Sequence, residues 1–349
     1  MSHELIFFGA FTLFIVLMLS LDLGLFHQKN QAVSLNQAAI MSAVWVSFSL
    51  CFYFFLKVDG QELHNIQNQT QLEHIVKLYQ QQVNVSSAHF QENLNRYKDN
   101  LSLEFLTGYV IEYALSVDNI FVMVLIFAAF GVKEKYYHRV LFWGILGAII
   151  MRYAFIFLGA TLVSQFNWIL YLFGAFLIYS GLMMFFGKDD ENKIDPENHK
   201  VVKFASKYFS VYPKFIGPQF FHKENGKRYI TPLFLVLLII EFTDVLFAVD
   251  SIPAIFAVTK DPYIVFFSNI FAVLGLRSMF FLLVNIIHKF HYLQTGLAAL
   301  LVFIGVKMLA HHWLVAWGFT TTDSLFVILA ILTTSVVASL IFPKKKEFH

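Results

Sequence analysis

The chain has 349 residues, of which 58% are hydrophobic and 42 are phenylalanine, and its mean hydropathy is +0.64. This composition excludes a soluble globular domain and predicts an all-α polytopic membrane protein. A net charge of +2 indicates no nucleic-acid partner, and the single cysteine, Cys51, excludes an intramolecular disulfide.

Apolar stretches of bilayer-spanning length, about 20 residues, predict about nine transmembrane helices. The first has no basic segment ahead of it and no small-residue cleavage pattern after it, which indicates a retained helix rather than a signal peptide. In chain order the predicted spans are 4–26, 36–57, 104–130, 138–162, 166–187, 231–257, 263–287, 292–310 and 323–342.

The distribution of basic residues predicts the orientation, because Lys and Arg accumulate in cytoplasmic connections. An arrangement with the N-terminus outside and the C-terminus inside places Lys133, Lys135, Arg139, the 188–230 loop and the terminal Lys344–Lys346 in the cytoplasm. The opposite connections hold few basic residues. We therefore predict an N-out, C-in protein.

The spans and loops divide the chain into six regions. The polar segment after the second span has apolar spacing that predicts an amphipathic helix on the outer surface, and the basic loop is either a solvated connector or a surface helix against anionic membrane lipids. The regions are two N-terminal helices (1–57), an extracytoplasmic polar segment (58–103), a three-helix unit (104–187), a cytoplasmic basic loop (188–230), a second three-helix unit (231–310), and a final helix with a basic tail (311–349).

Five carboxylates lie inside two apolar stretches that resemble each other, residues 111–120 and 240–252. An acid at the bilayer centre costs roughly 2.5–3.5 kcal/mol, so five facing lipid would cost on the order of 12 kcal/mol. They must therefore face one another, water or a cation. The five are Glu112, Asp118, Glu241, Asp244 and Asp250.

The likeness extends over three consecutive spans. Residues 152–155 match residues 277–280, and residues 174–184 match residues 298–308. We therefore predict an inverted 3+3 repeat, formed by the third to fifth and the sixth to eighth spans. Because each unit has an odd number of spans, the second unit enters the membrane from the opposite side. Such repeats are typical of alternating-access transporters.

The repeat also predicts where the site lies, because Asp118–Asn119 and Asp250–Ser251 occupy equivalent positions. On a regular helix Glu241 and Asp244 are about 60° apart and Asp250 is about 180° from Glu241. Either the helix breaks near residues 245–250 and turns Asp250 inward, or Asp250 faces a different helix. Pro253 favours a loosened helix, because proline removes a backbone donor.

Carboxylates with Asn119 and Ser251 oxygens form a hard ligand set, suited to Mn²⁺, Mg²⁺ or Ca²⁺ as transported substrate. Buried carboxylates can also exchange protons for a cation. Arg152 and Arg277 pair with the acids, either as structural partners or as occupants of the empty site. Asp22, near the inner end of the first span, is either an interfacial residue or a gate.

Several motifs resemble the TerC/Alx family of integral membrane proteins. They are Glu241-x-x-Asp244, residues 247–259, residues 268–278, residues 112–121 and residues 21–26. The resemblance implies a nine-helix protein grouped with LysE-type transporters, whose members are associated with Mn²⁺ export, alkaline-pH response and tellurite resistance. The family's acidic membrane residues correspond to the same five carboxylates.

We therefore predict a membrane exporter of a divalent cation, with Mn²⁺ favoured and protons as a candidate counter-ion, in a bacterial inner membrane. The alternative is a non-transport interaction protein for tellurite resistance, membrane-protein assembly or redox modulation. Hydrolase and phosphate-binding motifs are absent from the sequence, so no enzyme and no prosthetic group is expected. The sequence predicts no particular oligomeric state.

Overall fold

The computed structural model describes residues 7, 9–15, 17–18, 34–85, 89–166, 168–186, 200–224, 226–284 and 292–342. Residues 7, 9–15 and 17–18 are helical and precede the first helix with defined ends. The remaining described helices are α1 (Leu35–Asp59), α2 (Gln69–Leu78), α3 (Phe90–Ala129), α4 (Tyr137–Gln165), α5 (Ile169–Phe186), α6 (Lys200–Tyr208), α7 (Pro232–Phe256), α8 (Pro262–Leu283), α9 (Leu293–Leu309), α10 (His311–Ala316) and α11 (Thr321–Ile341).

Two four-residue strands are paired in an antiparallel hairpin between α6 and α7. β1 (Phe221–Glu224) and β2 (Lys227–Ile230) pair with Phe221 opposite Ile230. With α6, this hairpin occupies the connection that the basic residues assign to the cytoplasm.

Seven of the described helical segments are long and apolar enough to cross a membrane. They contain α1, α3, α4, α5, α7, α8 and α11, and α9 is a shorter apolar helix. The first predicted span lies partly outside the described residues. The protein is thus an all-α polytopic membrane protein, while nine spans, the repeat and the orientation stay predictions.

Helix α3 is much longer than its predicted span. It has 40 residues, or about 60 Å at 1.5 Å per residue, and it begins at Phe90 rather than near residue 104. Its first turns bury Tyr97 and Leu101 in the protein core. Apolar periodicity in the membrane cannot reveal such an extension, because its polar residues resemble a loop.

One end of the bundle is formed by residues 60–85 and the α7–α8 connection, residues 257–261. His64 contacts Asp261, and Lys260 donates to Gln80. We call this end the predicted outer end, because the charge distribution assigns it to the outside.

Helix α8 is the central helix of the bundle. Its residues 264–281 are all buried, and α1, α3 and α4 pack around it. Phe267 of α8 packs edge-on against Phe11, with ring centroids 4.4 Å apart. A helix that is apolar on all sides is stable only when surrounded in this way.

Helices α5 and α9 cross at small residues. A Cβ atom added to Gly181 would lie 2.7 Å from the carbonyl oxygen of Ala298, and one added to Gly174 would lie 3.0 Å from that of Gly305. Small residues allow such close backbone approach between membrane helices. This crossing positions α5 beside α7 and its acids.

Candidate functional site

A buried arginine connects the two acidic stretches. Arg152 of α4 has no exposed surface, and its Nη1 donates to Glu112 Oε1 of α3. Its Nε and Nη2 donate to the two Asp244 oxygens of α7, at 3.3 and 3.1 Å. This two-point contact is the strong form of an arginine–carboxylate pair.

Asn269 of α8 completes the cluster. Its Oδ1 accepts from Arg152 Nη1 at 3.0 Å, and its Nδ2 donates to Glu112 Oε2 at 3.0 Å. Four helices, α3, α4, α7 and α8, thus meet at one hydrogen-bonded network. One arginine and two carboxylates carry a net charge of −1 when all are ionised, so Arg152 compensates one of the two negative charges, and removing it would leave both without a cation.

Glu241 lies one turn from Asp244 and is half-buried. Its charge interacts with that of Asp244. Its carboxylate occupies the space beside Gly147 of α4, where an added Cβ atom would overlap it. The absent side chain at Gly147 therefore accommodates this acid.

Asp118 and Asp250 form a second acidic group. Their charges interact with each other, and Asp250 Oδ1 accepts a hydrogen bond from Ser180 Oγ of α5 at 2.9 Å. Helix α7 is continuous from Pro232 to Phe256, with Pro253 inside it. The break near residues 245–250, the first of the two alternatives, is absent from this helix. Asp250 instead faces a different helix, which is the second alternative.

Buried hydroxyl and amide groups lie on the helix faces of these acids. Ser116 and Asn119 follow Glu112 by four and seven residues on α3, and Ser251 follows Asp244 by seven residues on α7, so each shares a helix face with the acid. All three are buried. Among the described residues the hydroxyls of Ser116 and Ser251 have no hydrogen-bond partner, which leaves oxygen atoms available to a ligand.

The structure separates the predicted ligands into two groups. Glu112 and Asp244 meet at Arg152, with Glu241 beside them, whereas Asp118 and Asp250 interact near Ser180. Within the described residues, no three His, Cys, Asp or Glu side chains are arranged to hold a metal ion. A cation site at either group therefore needs oxygen atoms from Ser, Asn, the backbone or water in addition to carboxylates.

The remaining predicted residues are Arg277 and Asp22. Arg277 is buried on α8, and its charge acts on His138 of α4. Its predicted pairing with an acid stays a prediction. Asp22 lies outside the described residues.

The structure adds three positions that sequence reasoning missed. They are Asn269, Ser180 and Gly147. Asn269 lies inside an apolar span. Its amide could have been identified from the sequence as a candidate site residue, because a polar group in the bilayer needs a partner. Ser180 and Gly147 are small residues in membrane helices, where such residues are common, so nothing distinguished them.

Lys307 of α9 is a buried charged residue. A lysine near the end of a membrane span ordinarily reaches outward to water. In the structure it is only 8% exposed, and its charge interacts with Glu104 of α3.

Comparison with known proteins shows what this chain is similar to. It is 42% identical to the membrane protein STKORF319 of Myxococcus xanthus over 333 residues, covering 95% of this chain and 91% of the relative. It is 44% identical over 302 residues to a Photorhabdus laumondii protein named "Putative membrane-bound redox modulator Alx", covering 86% and 85% of the two chains.

An Escherichia coli K12 protein of the same name is 40% identical over 307 residues, covering 86% of this chain and 84% of the relative. No solved structure matches the chain. Residues 97–347 match the model of the integral membrane protein TerC family, which confirms the resemblance carried by the acidic motifs. The chain belongs to the TerC family of integral membrane proteins.

Proposed function

We propose that the protein exports a divalent cation, with Mn²⁺ as the favoured substrate, in exchange for protons. The observation that carries this proposal is the contact of one fully buried guanidinium, that of Arg152, with an acid from each predicted repeat, Glu112 and Asp244. Acids buried in the membrane mark ion and proton pathways. Here they come from both halves of the predicted repeat, which is where transporter sites form.

Charge balance explains the choice of a divalent cation and protons. Two carboxylates whose charges interact, Asp118 and Asp250, carry two negative charges when ionised. One divalent cation or two protons neutralise them equally, so the two can replace each other without leaving uncompensated charge in an apolar place. Hard oxygen ligands favour Mn²⁺ over soft ions.

Packing between the predicted repeats supports the proposal. Under the sequence equivalence, Gly174 corresponds to Ala298 and Gly181 to Gly305. Exchanging the repeats converts the Gly174–Gly305 contact into the Ala298–Gly181 contact, and both are present. Likewise α3 packs on α8 and α4 packs on α7. This reciprocity is what a two-fold axis within the membrane plane requires.

The remaining parts of the proposal concern the membrane in which the protein lies and its orientation there. We propose a bacterial inner membrane, with the predicted outer end outside the cytoplasm, because the relatives compared above are bacterial proteins. Membrane lipids surround the many exposed apolar side chains of the spans. No enzymatic role and no prosthetic group is proposed.

Transport by inside-out membrane vesicles tests the proposal. Mn²⁺ uptake is measured under a pH gradient for the wild type, Asp250→Asn and Glu241→Gln at matched abundance in the membrane. Asp99→Asn serves as control, because Asp99 is an exposed acid on α3 paired with Lys57. We expect saturable uptake that both site variants lose and the control keeps. An inactive wild type, with Ca²⁺ and Mg²⁺ also tried, would contradict the proposal.

A second candidate is a non-transport interaction protein, and the relatives named as redox modulators favour it. Thiol chemistry within this chain would depend on Cys51 alone, which is exposed on α1. If the second candidate is right, Cys51→Ser or deletion of residues 69–85 abolishes the tellurite resistance or redox modulation that the protein gives to cells. Asp250→Asn preserves it. The exporter predicts the reverse for Cys51→Ser and Asp250→Asn.

A further inference from the structure

A cavity of about 150 Å³ opens at the predicted outer end. Gln80, Gln82 and Tyr171 form part of its lining and are exposed, so it communicates with the surface. Glu104 and Met308 also line it and are buried. A water molecule occupies about 30 Å³ in the liquid, so the space admits several waters or a hydrated ion.

Glu104 is the carboxylate of this cavity. It is 2% exposed, its Oε2 accepts from Thr259 Oγ1 at 2.7 Å, and its Oε1 accepts from Asn100 Nδ2 at 2.7 Å. Thr259 Oγ1 in turn accepts from the backbone N–H of Asp261 at 3.2 Å. The carboxylate is therefore held in a fixed position at the cavity wall.

One lysine interacts with this acid, and a second lines its cavity. Lys307 of α9 interacts with the Glu104 charge, and Lys260 lines the same cavity while its Nζ donates to Gln80. Asp261, whose charge also reaches Glu104, is paired with His64 at 2.8 Å. The cavity therefore contains a fixed carboxylate without a large excess of negative charge.

An apolar layer separates the cavity from the Asp118–Asp250 group. It belongs to one buried cluster that includes Ile111, Leu115, Leu177, Ala254, Leu301 and Ile304. From the outer end inwards, α3 carries Glu104, then the apolar layer, then Asp118. In the same direction α5 carries Tyr171, then Leu177, then Ser180. Along α7 and the loop that follows it, the order is Thr259, then Ala254, then Asp250.

We propose that this cavity is the outer vestibule of the cation path and that Glu104 is the last carboxylate a cation meets before release. The apolar layer is the outer gate, closed in this structure. This inference rests on the proposed export function and adds a second cation-binding site, nearer the outer end, to it.

The charge of Lys307 explains why such a binding site releases its cation. A path conducts a cation when each site binds it strongly enough for the cation to enter and weakly enough for it to leave. The positive charge of Lys307 acts on Glu104 and weakens its hold on a divalent cation, so the carboxylate attracts the cation but does not retain it. The competing explanation is that Glu104 only pairs with Lys307 and stabilises the fold.

Transport measured from each face separates these explanations. Vesicles of both orientations, loaded with Mn²⁺, exchange it for external Mn²⁺, which gives a half-saturating concentration at each face. The variants are Glu104→Gln, the double variant Glu104→Gln with Lys307→Gln, and the control Glu73→Gln, an exposed acid on α2. The double variant removes both charges and leaves no unpaired lysine.

We expect Glu104→Gln to raise the outer half-saturating concentration about tenfold, the lower end of the range for a cleft that concentrates counter-ions. The inner value should not change, and the double variant should keep the outer defect. Equal shifts at both faces, or recovery in the double variant, would overturn the vestibule while leaving export standing. A wild type that moves no cation overturns both.

Thiol accessibility tests the vestibule without transport. In a Cys51→Ser background, Leu170→Cys places a thiol in the cavity lining and Leu301→Cys places one in the apolar layer. A membrane-impermeant thiosulfonate added outside should modify Leu170→Cys at rest and Leu301→Cys only while Mn²⁺ exchange proceeds. Labelling of Leu170→Cys from the inner face alone, or equal resting labelling of both, would refute the assignment.

Discussion

Gly174 of α5 and Gly305 of α9 lie in direct backbone contact. A Cβ atom added to Gly305 would be 2.6 Å from the carbonyl oxygen of Gly174, and one added to Gly174 would be 3.0 Å from that of Gly305. Both neighbours are backbone atoms, which cannot rotate away as a side chain does. The two helices can therefore cross at this depth only while both positions lack a side chain.

The first prediction concerns this crossing. Gly305→Ala should destabilise the protein, because the added methyl group forces α5 and α9 apart, and overpacking costs about 1–3 kcal/mol. Gly275→Ala is the matched control: it is also a buried helical glycine, but its added Cβ would lie 3.6 Å from the nearest atom, an ordinary contact. In a helix, alanine is favoured over glycine by about 1 kcal/mol.

Thermal unfolding of the detergent-solubilised protein measures the difference. We expect a lower melting temperature for Gly305→Ala and an unchanged or higher one for Gly275→Ala. Equal melting temperatures would mean that the crossing tolerates a wider helix separation.

The second prediction concerns the buried arginine. Arg152→Gln should lower the melting temperature strongly, because it leaves Glu112 and Asp244 buried without their cation, a loss of about 3–5 kcal/mol for a broken buried pair. Arg96→Gln is the control: its pair with Glu92 is about half exposed, and exposed pairs contribute about 0.2–1 kcal/mol. Similar melting of both variants would argue that the acids near Arg152 are not ionised.

Much of the membrane architecture follows from the sequence for a simple reason. Apolar runs of bilayer length allow only helices, because backbone groups in lipid must bond within their own segment. The acids were identified on the same ground, since their burial costs energy without partners. That argument selected Glu112 and Asp244, which the structure brings to one arginine.

Partners and helix ends could not be derived in this way. The cost of burying Asp250 predicts that it has a partner but does not identify Ser180, because the pairing depends on how α5 packs on α7. Lys307 and Glu104 stand at span ends, where a charged residue ordinarily reaches water. In the structure both are buried, and Glu104 accepts a hydrogen bond from Thr259 of the α7–α8 connection, a contact between distant parts of the chain that span boundaries do not predict.

The third prediction concerns Ser180. Ser180→Ala removes the hydrogen bond to Asp250 Oδ1 and should change the apparent Mn²⁺ affinity, because the hydroxyl orients this carboxylate. Hydrogen bonds to charged groups contribute about 1.5–3 kcal/mol, so we expect a change of about tenfold or more in half-saturating Mn²⁺. The control is Ser164→Ala, an exposed hydroxyl bonded to the Thr161 carbonyl at 2.9 Å. Identical transport curves would remove Asp250 and Ser180 from the site.

The fourth prediction uses Gly147, whose missing side chain leaves space for the Glu241 carboxylate. Gly147→Ala should displace that carboxylate without removing its charge, because the added methyl group would overlap it. If Glu241 binds the cation or carries protons, this variant loses transport as Glu241→Gln does, since ligand positions must be held within about 0.5 Å.

Gly144→Ala provides the control, one turn away on the same helix. Its added Cβ would lie 3.4 Å from Ile240 Cγ2, a contact that needs little or no movement. Mn²⁺ uptake by inside-out vesicles, at matched membrane abundance, should therefore be lost in Gly147→Ala and kept in Gly144→Ala. Full transport by Gly147→Ala would show that Glu241 can turn away towards lipid or solvent without cost, and the site would then be confined to the acids at Arg152 and Ser180.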